Sequence, residues 1–176
     1  WIADQTERNK AMKPIGEDLQ FDPPYSTLHV GKITGGTAGN ITAKDCIFSL
    51  DIRCLPKEDN QAWIEKYKNY VSVIEKEMKA INSDTEVKVD VTHVVPGLKP
   101  EINCFAEQLV RKITGKNGTQ KVSYGTEAGQ FQKAGYSTII CGPGSIKQAH
   151  QPNEYIERSQ MYEGEKFIFE LIKSIC

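Results

Sequence analysis

The chain has 176 residues, of which 39% are apolar, and this is enough for one domain or two small ones with a packed core. Its 22 basic and 23 acidic side chains give a net charge of -1 without any like-charged block, which argues against nucleic acid or an anionic membrane as the main partner. No apolar run approaches the roughly 20 residues needed to cross a bilayer.

The five cysteines are odd in number and show no CxxC spacing. This pattern favours reduced thiols in a cytoplasmic protein over a disulfide framework or a thiolate zinc site. The chain opens on Trp1 and not on a start methionine, within a segment typical of the tail of a helix. We therefore expect the natural N-terminus, with any targeting signal, to lie upstream of Trp1.

The first half of the chain combines strand and helix patterns. Residues 26–34 are β-prone, and residues 46–54 alternate apolar and polar side chains as a strand with one face on a core does. Apolar residues at three- and four-residue steps after Pro56 predict a long helix, and residues 87–91 alternate again as a strand. The order predicts an α+β layer, an antiparallel sheet whose apolar face is covered by the helix.

Strict alternation along the first strand places Leu28 and Val30 on one face, and His29 and Ile33 on the other. His29 is interpreted as a surface residue. His93 extends the parity of the valines before it and is interpreted as a packed or capping histidine. Neither of these histidines is predicted to bind metal.

Prolines and a glycine in residues 96–100 indicate a boundary between two parts of the chain. After it, apolar residues from Ile102 onward predict an amphipathic helix that Gly115 can close. Farther on, residues 122–124 and 137–141 are typical of short strands, and the helix predicted between them begins with Thr126 as its cap. Strand, helix and strand with short connections indicate a βαβ unit with parallel strands, and one more helix ends the chain.

Ligands of a parallel sheet bind beyond the carboxyl ends of its strands, so chemistry is expected in residues 125–127 and 142–150. His150 is either a zinc ligand or a loop histidine bonded to a backbone carbonyl. Arg53 either pairs with Asp51 or binds a substrate carboxylate through its planar fork. Asn40 follows a glycine-rich loop and favours a turn. Catalytic zinc takes about three protein ligands, and the sequence has no HExxH, HxH or cysteine-rich spacing to complete a site around one histidine.

Three stretches resemble the motifs of a known enzyme family. Residues 35–41 resemble its GG-x-A-x-N motif, and residues 51–56 resemble its D-I-R-x-L-P strand end. Thr126-Glu127-Ala128 followed by residues 141–155 resembles the long signature of its acetylornithine deacetylase branch. The family is that of the dinuclear-zinc aminoacylases, succinyl-diaminopimelate desuccinylases and carboxypeptidases, and the resemblance covers nearly the whole chain from Tyr25 onward.

The resemblance implies a homodimeric enzyme whose lid domain is inserted into a catalytic domain. Residues 1–94 are similar to the C-terminal part of the lid, or dimerisation, domain, and residues 95–176 to the C-terminal α/β part of a zinc-peptidase-like catalytic domain. It further implies two zinc ions per subunit, with cobalt as an alternative, and an N-acyl amino acid as substrate.

The roles that the resemblance implies fall on six positions. His150 matches a metal ligand, Arg53 a lid residue that grips the substrate carboxylate, and Asn40 a lid residue that reaches the substrate. Thr126 and Gly144 match positions that line the substrate pocket, and Glu127 is a candidate acceptor for the amino groups of ornithine. The general base and the other metal ligands of the family are expected upstream of Trp1, so no catalytic residue is assigned in this chain.

The implied reaction is metal-assisted removal of the acetyl group from N2-acetyl-L-ornithine, a step of arginine biosynthesis. The chain by itself is expected to be inactive, because it supplies one metal ligand. Within the family, the alternatives are a succinyl-diaminopimelate desuccinylase and a general aminoacylase. An alternative of another class is a non-catalytic dimerisation or interaction module in which residues 26–93 pair through a sheet edge.

Overall fold

The computed structural model of the protein describes residues 1–101 and 104–175. The chain divides into two units: unit 1 contains residues 1–99 and 121–126, and unit 2 contains residues 100–120 and the chain from residue 127 onward. The predicted domains, 1–94 and 95–176, refer to the architecture of a family and stay a prediction. None of the helices in the described part of the chain combines the length and the apolar character that a membrane span requires.

Unit 1 is built from two helices and a β-hairpin. Its elements are α1 (Ile2–Ala11), a 3-10 turn (Gly16–Gln20), β1 (Thr27–Gly35), β2 (Cys46–Arg53) and α2 (Asn60–Ile81). The long helix predicted after Pro56 is confirmed, and it begins where Asp59 caps it: the Asp59 side chain accepts a hydrogen bond from the Gln61 backbone N–H at 2.9 Å.

β1 and β2 pair antiparallel, which confirms the pairing predicted for the first two strands of the sheet. The predicted cover of its apolar face by the long helix was wrong, because Phe48 on that face is 41% exposed. The strand register includes the pairs Thr27–Arg53, Leu28–Ile52, His29–Asp51, Val30–Leu50, Lys32–Ser49 and Ile33–Phe48. Gly31 is left out of this register as a bulge. Because an extra residue reverses the parity of everything after it, Ile33 lies on the face of Val30 and Phe48. The prediction that Ile33 shares the face of His29 was therefore wrong.

The apolar core of unit 1 is small. Its buried apolar side chains are Leu28, Leu55 and Val71. At one end of the unit, Trp1 packs against two tyrosines of α2, with ring centroids 5.3 Å from Tyr67 and 5.7 Å from Tyr70. The predicted apolar stripe of α2 is thus only partly covered, and Ile81 at its end is 91% exposed.

A chain of polar contacts adds to this core and centres on Ser26, which is 2% exposed. The Asn9 side-chain amide of α1 accepts from Gln5 at 2.8 Å and donates to the Ser26 carbonyl at 2.6 Å. The Ser26 hydroxyl accepts the Leu55 backbone N–H at 2.9 Å and donates to the Glu58 carboxylate at 2.8 Å. Hydrogen bonds therefore join α1, the start of β1 and the connection between β2 and α2.

Unit 2 contains α3 (Phe105–Thr114), α4 (Ala128–Lys133), a 3-10 turn (Ile146–Gln148) and α5 (Arg158–Ile175). Gly115 closes α3 in the left-handed conformation with φ +69°, as predicted. Ile102, which was predicted on this helix, lies outside the described residues. Glu127 directly precedes the first residue of α4 and makes no side-chain capping bond, and the capping role of Thr126 stays a prediction.

Three predicted strands were wrong, since residues 87–91, 122–124 and 137–141 form no strand. Within the described part of the chain, β1 and β2 make the only sheet, so the predicted βαβ unit is absent there. A strand depends on hydrogen bonds to a neighbour, whereas alternation in the sequence reports only how side chains would fit a half-buried surface. Because residues 87–91 form no strand, His93 does not end a buried face and is exposed, so its prediction as a packed histidine was wrong. His29 is exposed as predicted.

The segment 121–126 belongs to unit 1 and makes polar contacts with the chain before β1. Lys121 forms an ion pair with Glu17, with 2.8 Å between nitrogen and oxygen, and the Asp22 backbone N–H donates to the Ser123 hydroxyl at 3.3 Å. Residues 137–141 lie in unit 2. The two segments that were predicted as parallel neighbours are therefore assigned to different units.

Candidate functional site

Arg53 is the last residue of β2 and lies on the polar face of the hairpin. Its Nε atom donates to a carboxylate oxygen of Asp51 at 2.9 Å, and the side chains of Arg53 and Asp51 are 67% and 54% exposed. The two terminal guanidinium nitrogens make no hydrogen bond to other described residues. The pairing with Asp51 therefore leaves one edge of the guanidinium available for a planar anion such as a carboxylate.

Asn40 lies in an exposed turn of the loop that joins β1 to β2, where the Ile41 backbone N–H donates to the Ala38 carbonyl at 3.4 Å. Arg53 lies at the opposite end of the hairpin. From Cys46 to Arg53, β2 alone spans roughly 23 Å at about 3.3 Å per residue. One copy of the hairpin therefore does not bring these two residues together around a molecule the size of an amino acid.

Thr126 and Glu127 are neighbours in sequence at the division between the units. Thr126 is half-buried and belongs to unit 1, whereas Glu127 is exposed and belongs to unit 2. The Glu127 carbonyl accepts the backbone N–H groups of Gln130 at 2.9 Å and Phe131 at 3.2 Å. The Glu127 carboxylate has no hydrogen-bond partner among the described residues, so it could accept a bond from an amino group.

Gly144 is fixed in a loop that lies against α5. It adopts a left-handed φ of +90°, and its N–H donates to the Gln160 side-chain oxygen at 3.3 Å. A Cβ atom on Gly164 of α5 would lie 3.0 Å from the ring of Pro143, which shows how closely the loop approaches this helix. Gln160 and Gly164 were missed by sequence reasoning, because nothing local in the sequence signals a contact between a loop and a later helix.

His150 has a backbone conformation that is uncommon for any residue except glycine. Its φ is +58°, and three residues later Asn153 has a φ of +60°. The left-handed region costs an L-residue roughly 1–2 kcal/mol, although His and Asn enter it more often than most. The His150 backbone N–H donates to a carboxylate oxygen of Glu154 at 3.1 Å, and the residue is exposed.

Residues 151–154 form a β-turn. The Glu154 backbone N–H donates to the Gln151 carbonyl at 3.1 Å, so Pro152 and Asn153 occupy the two central positions. Proline first and a residue of positive φ second is the sequence signature of a type II turn. The Pro-Asn pair is a local signal from which this turn was predictable, whereas no role was assigned to Glu154.

The His150 imidazole is available to a metal ion, since it has no hydrogen-bond partner among the described residues. Within residues 1–101 and 104–175, however, no group of three or more His, Cys, Asp and Glu side chains could hold a metal ion. The described residues thus fit one ligand position of a catalytic metal site and do not complete one.

Cys54, next to Arg53, is not an activated thiol. Burial raises its pKa from 9.0 to about 11, and the nearby carboxylates of Glu58 and Asp59 act in the same direction. Because the thiolate is the nucleophile and the metal ligand, a thiol with this pKa is inert near neutral pH. The cysteines in the described residues, Cys46, Cys54, Cys104 and Cys141, are free as predicted, and Cys176 lies outside those residues.

Two open surface depressions do not coincide with these residues. One, of about 420 Å³, follows α5 and is lined by Tyr162, Glu165, Lys166, Phe169, Glu170 and Lys173. The other, of about 260 Å³, lies at the start of α2 and is lined by Glu58, Asp59, Ala62, Trp63 and Lys66. Neither contains any of the six residues that the sequence predicts for the site.

Comparison with known proteins gives matches along almost the whole chain. The chain is 27% identical over 168 residues to an acetylornithine deacetylase of Myxococcus xanthus, a match that covers 94% of this chain and 43% of that protein. It is 32% identical over 157 residues to the acetylornithine deacetylase of Shigella sonnei, a match that covers 89% of this chain and 39% of that protein. It is 32% identical over 171 residues to that of Photorhabdus laumondii, with 97% and 43% covered.

The chain therefore spans about two-fifths of the length of the curated relatives it matches. The sequence model of one peptidase family matches residues 7–174, which include all six predicted site residues. The chain belongs to the peptidase family M20/M25/M40.

Proposed function

We propose that the chain is part of a metal-dependent amidohydrolase that removes the acetyl group from N2-acetyl-L-ornithine in arginine biosynthesis. One observation supports this most strongly: the segment with the deacetylase-like signature folds into a closed loop that leaves the His150 imidazole free. In the same chain, similarity to proteins named acetylornithine deacetylase extends over 89–97% of the residues. We further propose a cytoplasmic homodimer that dimerises through a lid formed in part by residues 1–94.

We propose that His150 is one metal ligand and that the metal is zinc, with two ions per subunit and cobalt as an alternative. The other ligands and the general base would come from the portion of the relatives' length that this chain does not span. A metal ion bound there supplies a coordinated water of lowered pKa for amide hydrolysis. The part of this chain is to present an imidazole from a loop of defined backbone conformation.

Substrate binding is proposed for five residues. Arg53 would bind the α-carboxylate through its two unpaired guanidinium nitrogens, because Asp51 occupies only Nε. Glu127 would accept the amino groups of the ornithine side chain, and Thr126 and Gly144 would line the pocket. If Asn40 and Arg53 act on one substrate molecule, they come from two copies of the hairpin, which agrees with the proposed homodimer.

The test is a comparison of the full-length protein with its His150→Ala variant. Zinc per subunit is measured by elemental analysis after dialysis, and turnover is measured on N2-acetyl-L-ornithine and on N-succinyl-diaminopimelate. We expect the variant to lose one zinc ion and most of its activity. Two zinc ions with near-normal turnover would contradict the assignment of His150.

The same assay separates the proposed function from its alternatives. Preference for the succinylated substrate would favour a desuccinylase over a deacetylase. A folded full-length protein without zinc and without turnover on either substrate would favour an interaction module. Glu163→Ala serves as the matched control, since Glu163 is an exposed carboxylate on α5 and alanine suits a helix.

A further inference from the structure

Glu154 closes the loop from His150 to Glu154 by taking part in two hydrogen bonds. The backbone N–H of Glu154 donates to the Gln151 carbonyl at 3.1 Å, and its carboxylate accepts the His150 N–H at 3.1 Å. The Pro152-Asn153 turn places the two partners within this reach. Glu154 thus completes a ring of five residues around the turn.

His150 needs such support because its conformation is not the one that its chain would choose alone. Its φ of +58° lies in the left-handed region, which costs an L-residue free energy, and a residue of this kind persists where surrounding contacts determine it. The contact with Glu154 is the one hydrogen bond that the described residues give to His150. Released from it, the backbone would relax towards negative φ and would turn the imidazole in a different direction.

We propose that Glu154 is a positioning residue: its carboxylate holds the His150 backbone in the left-handed conformation and thereby fixes the direction in which the imidazole is presented. This inference rests on the proposed role of His150 as a metal ligand. Glu154 acts through its length and its acceptor oxygen, and its negative charge is not required. Outer partners that orient metal ligands typically change metal affinity by about 10- to 100-fold.

Three substitutions of Glu154 separate the effect of side-chain length from the effect of charge. Glu154→Gln keeps the length and an acceptor oxygen but removes the charge. Glu154→Asp keeps the charge but shortens the side chain by one methylene, so its oxygen no longer reaches the His150 N–H in the same turn. Glu154→Ala removes both, and Glu163→Ala on α5 controls for the loss of an exposed carboxylate elsewhere.

Two measurements are made on the full-length protein. Hydrogen exchange of the zinc-free protein is followed by mass spectrometry in peptides that cover residues 149–154, and zinc affinity is measured by competition with a chelator. We expect Glu154→Ala and Glu154→Asp to speed exchange in this segment and to weaken zinc binding by about tenfold. Glu154→Gln and Glu163→Ala should stay close to the wild-type protein in both measurements.

The outcomes distinguish this inference from the function on which it rests. If Glu154→Ala matches the wild type in exchange and affinity while His150→Ala loses zinc, the positioning role is overturned and the ligand stands. If Glu154→Gln speeds exchange and weakens zinc binding while Glu154→Asp matches the wild type, the charge of Glu154 and not its length holds His150, and the inference is again overturned. If His150→Ala retains all its zinc, the proposed metal site itself is wrong. Since the Gln and Asp variants differ from Glu by single small changes, they decide the matter even if the alanine variant does not fold.

Discussion

The Nε atom of Arg53 lies 2.9 Å from a carboxylate oxygen of Asp51, two residues earlier on the same face of β2. The pairing reduces the freedom of a long side chain while leaving its terminal nitrogens unpaired among the described residues. An exposed pair of this kind contributes little to stability, typically below about 1 kcal/mol. Its larger effect is on geometry, because a guanidinium anchored at one nitrogen presents its remaining edge in fewer orientations.

The first prediction concerns the planar fork of Arg53. In the full-length protein, Arg53→Lys should lower kcat/KM on N2-acetyl-L-ornithine by about 10- to 100-fold, because an ammonium group cannot donate the same parallel pair of hydrogen bonds. The measurement is steady-state kinetics on this substrate and on an acetyl amide of similar size without a carboxylate. Loss should be small on the second compound, and equal losses on both would mean that Arg53 only supports the fold.

The second prediction concerns the close approach of α5 to the loop that contains Gly144. Alanine in place of glycine within a helix is normally favourable by about 1 kcal/mol. At Gly164 the new Cβ would lie 3.0 Å from Pro143 Cγ and 3.3 Å from its Cβ, so the loop must move or the protein must lose stability. We expect Gly164→Ala to lower the free energy of unfolding by about 1 kcal/mol, or to raise KM at unchanged stability.

Chemical denaturation and substrate titration check this together. Gly118→Ala is the matched control, since a Cβ there meets nothing within 4 Å. A Gly164→Ala protein that is more stable than the wild type, with normal KM, would show that the Pro143 ring yields without consequence.

The third prediction concerns the reactivity of the thiols. Raising the pKa of Cys54 from 9.0 to about 11 leaves about a hundredfold less thiolate at pH 8 than an unperturbed thiol has. Iodoacetamide should therefore label Cys54 more slowly than the exposed Cys46, as followed by peptide mass spectrometry. The difference should disappear in concentrated urea, and equal labelling in the folded protein would disprove the assigned burial.

The raised pKa of Cys54 also makes the stability of the protein depend on pH. The raised pKa means that the unfolded chain loses the Cys54 proton first, so this contribution to stability is complete below about pH 9 and is lost as the pH rises through about 11. Since the side chain is only half-buried, solvent screening reduces the effect. Replacement of Cys54 by serine should flatten this part of the pH profile.

The sequence predicts elements well where local chemistry determines them. Gly115 ends α3 because a left-handed residue satisfies the last carbonyls of a helix, and the alternation of residues 46–54 identifies β2 because its partner β1 is nearby in the chain. The bulge at Gly31 is different. A glycine inside a strand permits a bulge without requiring one, so the face of Ile33 could not be predicted from parity.

Features that depend on distant residues were harder to predict. The patterns at 122–124 and 137–141 are those of strands, but a strand exists only beside a neighbour, and the sequence does not show which neighbour is present. In the candidate site, motif similarity predicts roles for His150 and Gly144, and these stay predictions. It gives no signal for Glu154 and Gln160, whose hydrogen bonds follow from where a turn and a helix place them.

Ser26 has a consequence for how unit 1 melts. With ten mostly polar residues, α1 is shorter than the roughly 12–15 residues at which an isolated helix becomes even marginally stable in water. Its Asn9 is anchored to the carbonyl of the same serine whose hydroxyl receives the Leu55 N–H. The stability of α1 therefore depends on the hairpin. Breaking the hydrogen bonds of Ser26 to Asn9 or to Leu55 should release both α1 and the hairpin. Heating should accordingly remove α1 and the hairpin in a single cooperative transition, without earlier fraying of the helix.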